Sequence, residues 1–394
     1  MPRPIAFVIF ITIVLAIAAG MHFYVWTRLV RDVALPTPWF RLLTAVMAVL
    51  FLSIPATFYL GRVLPPDRGA VLLTLSYTWL GVLFLLLMLV AATDLAQFAV
   101  RLLRQLGETQ PPVSPERRVA LARLVGGGVA LAASGATSAA LVVARRAATI
   151  REVRVALKGL PTPLRGTTIV QLSDLHVGPT LRREFVERVV ARTNSLKPDV
   201  IAITGDLADG SVDRLRDLVA PLAELRAKYG VFFVTGNHEY YSGVEPWCSE
   251  VTRLGIRVLR NERVRIGPSD ASFDLVGIDD YKAHEFGNGH GADLTRALDG
   301  ADPSRATVLL AHQPLAVHEA QEKGIGLVLS GHTHGGQIWP WHFFVRLQQP
   351  VIRGLHWFGD TQIYVSSGTG YWGPPMRLGA PAEITKIILE PRGR

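Results

Sequence analysis

Four long stretches without a charged side chain dominate the first 150 residues and limit what that half can become. They cover Pro4–Thr27, Leu42–Gly61, Gly69–Thr93 and Leu124–Ala144, which are 24, 20, 25 and 21 residues long. In a helix about 20 residues cross a hydrocarbon layer of roughly 30 Å. No polar face interrupts the runs, which argues against buried helices of a soluble globule. Trp26, Trp39 and Tyr59 suit interface anchors, whereas Trp79 lies too deep. Pro55 is tolerable inside a membrane helix. Residues 1–148 are therefore expected to form a transmembrane region of four spans, about 4–27, 42–61, 69–93 and 124–144. A cleaved signal peptide, with Arg3 as its charged start and Ala16-Ile17-Ala18 as its cleavage site, is the alternative for the first run. The apolar stretch continues past that site to Trp26, which favours a span.

Charge separates the two halves. The net charge of +9 comes from 41 Lys+Arg against 32 Asp+Glu. Residues 1–150 hold 13 Arg, no Lys and five acids, and residues 151–394 hold 28 basic and 27 acidic residues. The basicity belongs to the apolar half, so no nucleic-acid partner is expected. With the N-terminus outside, the inner loops carry Arg28, Arg31, Arg41, Arg101, Arg104, Arg117, Arg118 and Arg123. The outer side carries Arg3, Arg62, Arg68, Arg145, Arg146 and Arg151. This arginine bias places residues 151–394 on the outer face, periplasmic or extracytoplasmic. The fourth run agrees, since Arg117-Arg118 before a Gly- and Ala-rich helix resembles a twin-arginine export signal placed internally. An ordinary basic flank is the other reading. Pro111-Pro112-Val113-Ser114-Pro115 marks a loop before that run.

The second half alternates strands and helices. Val153–Leu157, Thr167–Leu172, Val200–Thr204, Val231–Thr235, Arg257–Arg260, Phe273–Ile278, Thr307–Leu310, Leu327–Leu329, Ile363–Ser366 and Ile384–Leu389 read as strands. Leu181–Leu196, Val212–Tyr229 and Trp247–Leu254 read as helices, the second ended by Gly230. Continuous apolar strands alternating with helices imply a largely parallel sheet covered on both faces. The later strands suggest a second sheet packed on the first, an αββα sandwich. Residues 149–166 serve as linker and first strand, and 167–394 as the domain.

Five strand ends repeat one pattern, an apolar run followed by Asp, His or Asn beside a small or turn-forming residue. They hold Asp174 and His176, Asp206, Asn237 and His238, His312, and His332 and His334. Carboxyl ends of strands in open α/β sheets line the ligand crevice, so these groups converge on one edge. Oxygen and nitrogen donors without thiolates suit Mn, Fe or Zn. The groups suffice for two divalent ions, and Asp206, alone on its strand end, is the natural shared ligand. Two cations about 3.5–4 Å apart activate a water and hold both ends of an in-line displacement at phosphorus. The one cysteine, Cys248, excludes an intramolecular disulfide and reads as a packed small apolar residue.

The ordered set Asp174-Leu175-His176, Gly205-Asp206, Gly236-Asn237-His238-Glu239, His312 and Gly331-His332-Thr333-His334 resembles the calcineurin-like metallophosphoesterase superfamily over roughly residues 165–390. Gly335-Gly336-Gln337 and Ser367-Gly368-Thr369-Gly370 with Arg377 are similar to one branch of it. That branch comprises membrane-attached or twin-arginine-exported bacterial phosphoesterases, some of which hydrolyse the pyrophosphate of UDP-2,3-diacylglucosamine. The resemblance implies that Asp174, His176 and His334 hold the first metal and that Asp206 bridges to the second. It implies that Asn237, His312 and His332 complete the second, and that His238 is the general acid. Asn237 and Arg377 are the implied substrate contacts, a surface residue being the other reading of Arg377.

The expected protein is thus a membrane-anchored dimetal phosphoesterase in which a metal-bridging hydroxide attacks a phosphodiester or pyrophosphate. A lipid or cell-envelope precursor such as UDP-2,3-diacylglucosamine is the expected substrate, with membrane lipids as further partners. The alternative is a membrane sensor that binds a phosphorylated ligand, although a binder needs no proton donor such as His238. Ile338-Trp339-Pro340-Trp341-His342-Phe343-Phe344-Val345 reads as a lipid-facing lip beside the site, or else as a buried loop core. His22, His284, His290, His318, His342 and His356 read as structural or surface residues. Glu239 reads as a helix-start residue, and Asp279 and Asp280 as a turn.

Overall fold

The computed structural model describes residues 3–63, 66–105, 114–287 and 289–392. Pro111-Pro112-Val113 of the expected loop lies outside them. The chain divides into two compact units, 1–142 with the short segment 373–376, and 143–372 with 377–394.

The first unit is helical. Helices α1 (Arg3–Trp26), α2 (Thr37–Val63), α3 (Pro66–Gln105) and α4 (Pro115–Arg145) match the four expected spans, with Thr27 falling in a π-helical turn (Thr27–Arg31) after α1. All four are long and apolar enough to cross a membrane. Large apolar side chains face outward: Val49 and Leu52 on α2 and Leu95 and Phe98 on α3 are each at least 60% exposed. Such surfaces are stable only against lipid or another apolar partner. Polar side chains instead pair between helices. Trp79 donates to Nε2 of buried His22 (3.0 Å), and Tyr24 donates to Asp94 (2.6 Å). Arg123 of α4 donates to the Val33 and Ala34 carbonyls (3.1 and 2.9 Å), beyond the end of α1.

The second unit holds twelve strands among the described residues. They are β1 (Thr149–Leu157), β2 (Thr168–Leu172), β3 (Val200–Thr204), β4 (Val231–Val234), β5 (Arg257–Val258) and β6 (Glu262–Ile266). Then come β7 (Phe273–Gly277), β8 (Thr307–Leu310), β9 (Leu327–Ser330), β10 (Gly354–Phe358), β11 (Thr361–Val365) and β12 (Glu383–Pro391). The helices are α5 (Arg183–Ser195), α6 (Val212–Val219), α7 (Asn237–Ser242), α8 (Val244–Arg253), α9 (Leu294–Ala297), α10 (Val317–Glu322) and α11 (His342–Val345).

Two six-stranded sheets form, in the orders β1-β12-β2-β3-β4-β5 and β10-β11-β9-β8-β7-β6. Strands β2 to β5 run parallel, as do β7, β8, β9 and β11. Strand β12 pairs parallel with β1 and antiparallel with β2. The strands alternate faces with period two. Val200, Ala202, Phe232 and Val234 meet Val308, Leu310, Leu327 and Leu329 in a core between the sheets. Ile201, Ile203 and Phe233 point the other way and pack on α5, α6 and α8 through Val186, Leu215 and Trp247. Leu309 and Val328 meet Leu294, Val317 and Ala320 on the far side of the second sheet. These three cores make the αββα sandwich expected from the sequence. Each fully buried Leu or Ile contributes about 2 kcal/mol by leaving water.

One helix is shorter than its apolar spacing suggests. The expected helix Val212–Tyr229 stops at Val219, and Ala220–Glu224 is a 3₁₀ turn. Pro221 cannot donate to the ladder, and its ring meets the carbonyl four residues earlier.

Candidate metal centre

Parallel strands deliver their carboxyl ends to one edge, and each polar cluster follows such an end. Strands β2, β3 and β4 of the first sheet lead to Asp174 and His176, Asp206, and Asn237 and His238. Strands β8 and β9 of the second lead to His312, and to His332 and His334. Buried Gln171 joins the two sheets beneath the site. Its Nε2 donates to Thr204 Oγ1 on β3 and to the Ser330 carbonyl on β9, both at 2.9 Å.

The side chains assemble into adjacent trios. Asp174, His176 and His334 place donor atoms within 4.8 Å of one another, and so do Asp206, His312 and His332. Asp206 Oδ2 stands between them, 3.7 Å from His176 Nε2 and 3.2 Å from His312 Nε2. His334 Nε2 lies 3.0 Å from His176 Nε2 and 3.4 Å from Asp174 Oδ1. His332 Nδ1 lies 3.1 Å from His312 Nε2.

Three observations test whether these residues fit cations. The outer nitrogens of two histidines are committed: His176 Nδ1 donates to Asp209 (2.9 Å) and His312 Nδ1 to the Thr204 carbonyl (2.8 Å). Their Nε2 lone pairs therefore aim inward, as metal ligation requires. Asn237 is buried, and its Oδ1 has no hydrogen-bond partner among the described residues. Burial pushes the Asp174 carboxyl up from its ordinary range, a cost that a neighbouring cation removes. The donor set fits two divalent ions.

The backbone is strained at the same points. Asp174, His176, Asp206, His332 and His334 have φ of 54°, 46°, 52°, 70° and 51°, in the left-handed region. Such residues cost about 1–3 kcal/mol each and gather where function requires a fixed geometry. Close approach accounts for one glycine: a Cβ on Gly236 would run into Oδ1 of Asp206.

His238 forms a third trio with His176 and Asp206, again with donor atoms within 4.8 Å of one another. Its Nδ1 lies 2.7 Å from Asp209 Oδ1, and its Nε2 is 4.0 Å from Asp206 Oδ2. Burial alone would lower its pKa, but Asp206 and Asp209 outweigh it and raise it to about 9. The ring meets the edges of Tyr241 and Trp372, both exposed, at centroid distances of 5.3 and 5.6 Å.

Sequence reasoning missed Asp209. Its carboxylate holds both His176 and His238. It follows the strand end by several residues, where no apolar pattern singles it out. Asp209→Asn is expected to lower metal affinity and kcat by about 10- to 100-fold each, as loss of an orienting partner does. Metal titration beside steady-state kinetics checks this, and an unchanged metal affinity contradicts it.

Glu239 does more than start a helix. Fully buried, it accepts from the backbone N–H groups of Gly236 (2.7 Å), Asp206 (3.0 Å) and Leu207 (2.8 Å). It clamps the β3 and β4 loops together. Asp279 and Asp280 are likewise buried and engaged, Asp279 with Arg260 (2.8 Å) and Asp280 with Gln313 (3.0 Å).

Arg377 corrects an expectation. It neither clamps phosphate nor lies on the surface: it is 0% exposed. Its guanidinium donates to the carbonyls of Ser367 (2.9 Å), Gly370 (3.0 Å) and Ala380 (2.7 Å), and more weakly to those of Gly368 and His334 (3.4 Å each). Those bonds consume the donors that a phosphate would need. Burial lowers its pKa to about 10.

Comparison with known proteins follows this geometry. A family model described as calcineurin-like phosphoesterase matches residues 167–336. A cattle (Bos taurus) protein named "transmembrane protein with metallophosphoesterase domain" is 36% identical over 93% of this chain and 86% of its own length. A zebrafish (Danio rerio) protein of the same name is 34% identical over 98% and 89%. An uncharacterized metallophosphoesterase of Campylobacter jejuni is 31% identical over 98% of this chain and 99% of its own. These likenesses extend beyond the catalytic domain into the helical region.

Proposed function

The chain belongs to the calcineurin-like phosphoesterase family, and on that premise we propose that it hydrolyses a phosphodiester or pyrophosphate bond on a lipid-linked substrate at the membrane surface. It is a metal-dependent phosphoesterase hydrolase, and its four long apolar helices mark it as a membrane protein. The observation that carries the chemistry is the position of Asp206 Oδ2 between two inward-facing histidine nitrogens.

In this reading Asp174, His176 and His334 hold one divalent ion, Asn237, His312 and His332 hold the other, and Asp206 serves both. Manganese, iron or zinc suits the donor set. When bound, the ions supply Lewis-acid activation of water and neutralise charge at phosphorus. With Oδ1 turned to the ion, the Asn237 side-chain amide Nδ2 would donate to a phosphoryl oxygen. His238, oriented through Asp209, gives a proton to the leaving oxygen from Nε2. Glu239 keeps the β3 and β4 loops at fixed spacing while charge develops. The domain works on the outer face, the side the arginine bias favours.

The test is hydrolysis of bis(p-nitrophenyl) phosphate and of a panel of lipid-linked phosphates and pyrophosphates, UDP-2,3-diacylglucosamine among them, with added Mn²⁺. Activity that EDTA abolishes and Mn²⁺ restores is expected. A protein that takes up metal yet cleaves none of them would instead be the membrane sensor.

The lipid part rests on the lip. Trp339, Trp341, Phe343 and Phe344 are 44–56% exposed, directly after the metal-binding turn, which rules out a fully buried loop core. Trp341→Ser with Phe343→Ser is expected to reduce kcat/KM on a lipid substrate by about tenfold, since each side chain removes apolar contact area. Activity on bis(p-nitrophenyl) phosphate is expected to stay within about twofold. Equal losses on both substrates would mean that the lip only packs.

A further inference from the structure

We propose that the cavity behind the metal-binding turn is a second recognition site, for an anionic phosphate-bearing headgroup. This rests on the reading of a lipid-linked phosphoester substrate and narrows it.

The cavity has a volume of about 650 Å³, and one wall is the Gly335–Gly336 backbone next to His334. Arg346, Arg353, His342 and His356 line it, and no acidic residue does. Arg346 has no ion-pair partner among the described residues. Arg353 is held in place, because it donates to the Gly379 carbonyl (2.7 Å) while its own carbonyl accepts from His356 Nε2 (3.0 Å). Two exposed guanidinium groups line one space without a carboxylate, which makes that space favourable for an anion. Their planar forks match phosphate oxygens.

The volume admits a whole headgroup rather than a bare ion.

Trp339 links the cavity to the lip, since it lines the one and belongs to the other, where it is 56% exposed. An amphiphile can therefore lay its apolar chain along Trp339 and place its anionic head between Arg346 and Arg353. Gly336 sits directly against His342, where a Cβ would meet the histidine backbone at 2.7 Å, so a filled cavity bears on the turn that carries His334.

The experiment uses the full chain in dodecyl maltoside, stripped of metal by EDTA so that only the cavity binds phosphate. Wild type and the double variant R346Q/R353Q are titrated calorimetrically with dihexanoyl phosphatidylglycerol, dihexanoyl phosphatidylcholine and glycerol 3-phosphate. The double variant is expected to bind phosphatidylglycerol at least tenfold more weakly and not to differ from wild type with phosphatidylcholine. Glycerol 3-phosphate is expected to show the same dependence on the two arginines at lower affinity. If it matches the lipid in affinity, the site serves the free headgroup and the lip adds nothing. Equal phosphatidylglycerol affinity in wild type and variant overturns the proposal. Hydrolysis of bis(p-nitrophenyl) phosphate with Mn²⁺ is measured in parallel and is expected to be equal in both. If wild type fails to hydrolyse it, the functional reading falls while the binding result stands by itself.

Discussion

Asp206→Asn is expected to reduce kcat on bis(p-nitrophenyl) phosphate by at least about a thousandfold and to leave the fold unchanged. The amide keeps the shape of the side chain and an oxygen for the His238 backbone N–H, which Asp206 Oδ1 accepts at 2.9 Å. It removes the negative charge from the atom that stands between His176 and His312. Two cations held close together would repel, and a carboxylate shared between them would offset this for both. Metal content should accordingly fall from two ions per chain to one or none, by elemental analysis after gel filtration. Circular dichroism should be unchanged. A variant that keeps both ions and a tenth of the activity would show that Asp206 does not bridge.

The second large effect concerns stability. Arg377→Met is expected to destabilise the catalytic domain by about 3–5 kcal/mol. The carbonyls of Ser367, Gly370 and Ala380 have Arg377 as their recorded donor. Each buried acceptor that loses its partner costs about 1–3 kcal/mol. Leaving the charge out recovers part of the desolvation cost, so the sum is less than three full penalties. Arg377→Lys should recover only a fraction, because one ammonium cannot reach carbonyls spread around a planar fork. For a domain of this size the expected drop in Tm is about 10 °C. A shift below about 2 °C would mean that water replaces the guanidinium at no cost. Because Arg377 also bonds the His334 carbonyl, Arg377→Met should weaken metal binding as well.

What was readable from the sequence, and what was not, follows the range of the interactions. Asp174, Asp206, Asn237 and His312 could be found because an apolar strand announces the turn after it, and a parallel sheet sends such turns to one edge. Asp209 gave no such signal, since its importance arises only when His176 and His238 close on it from different loops. Arg377 was misread for the same reason: five carbonyls from separated parts of the chain make its surroundings, and none is visible in the residues beside it. The α6 boundary was different. Pro221 is visible in the sequence and ends the helix, although the apolar spacing continues past it. His356 is exposed, as its sequence setting suggests, but the cavity it shares with His342, Arg346 and Arg353 draws on separate stretches of chain that the residues beside each do not reveal.

Strand β12 lies between β1 and β2, with a partner on each side, although it comes last in sequence among the described strands. Until synthesis reaches Pro391, two neighbouring strands present bare peptide groups to each other across a gap one strand wide. The domain therefore cannot be completed piecemeal at the ribosome. A truncated product would expose two adhesive margins ready to recruit a strand from another molecule.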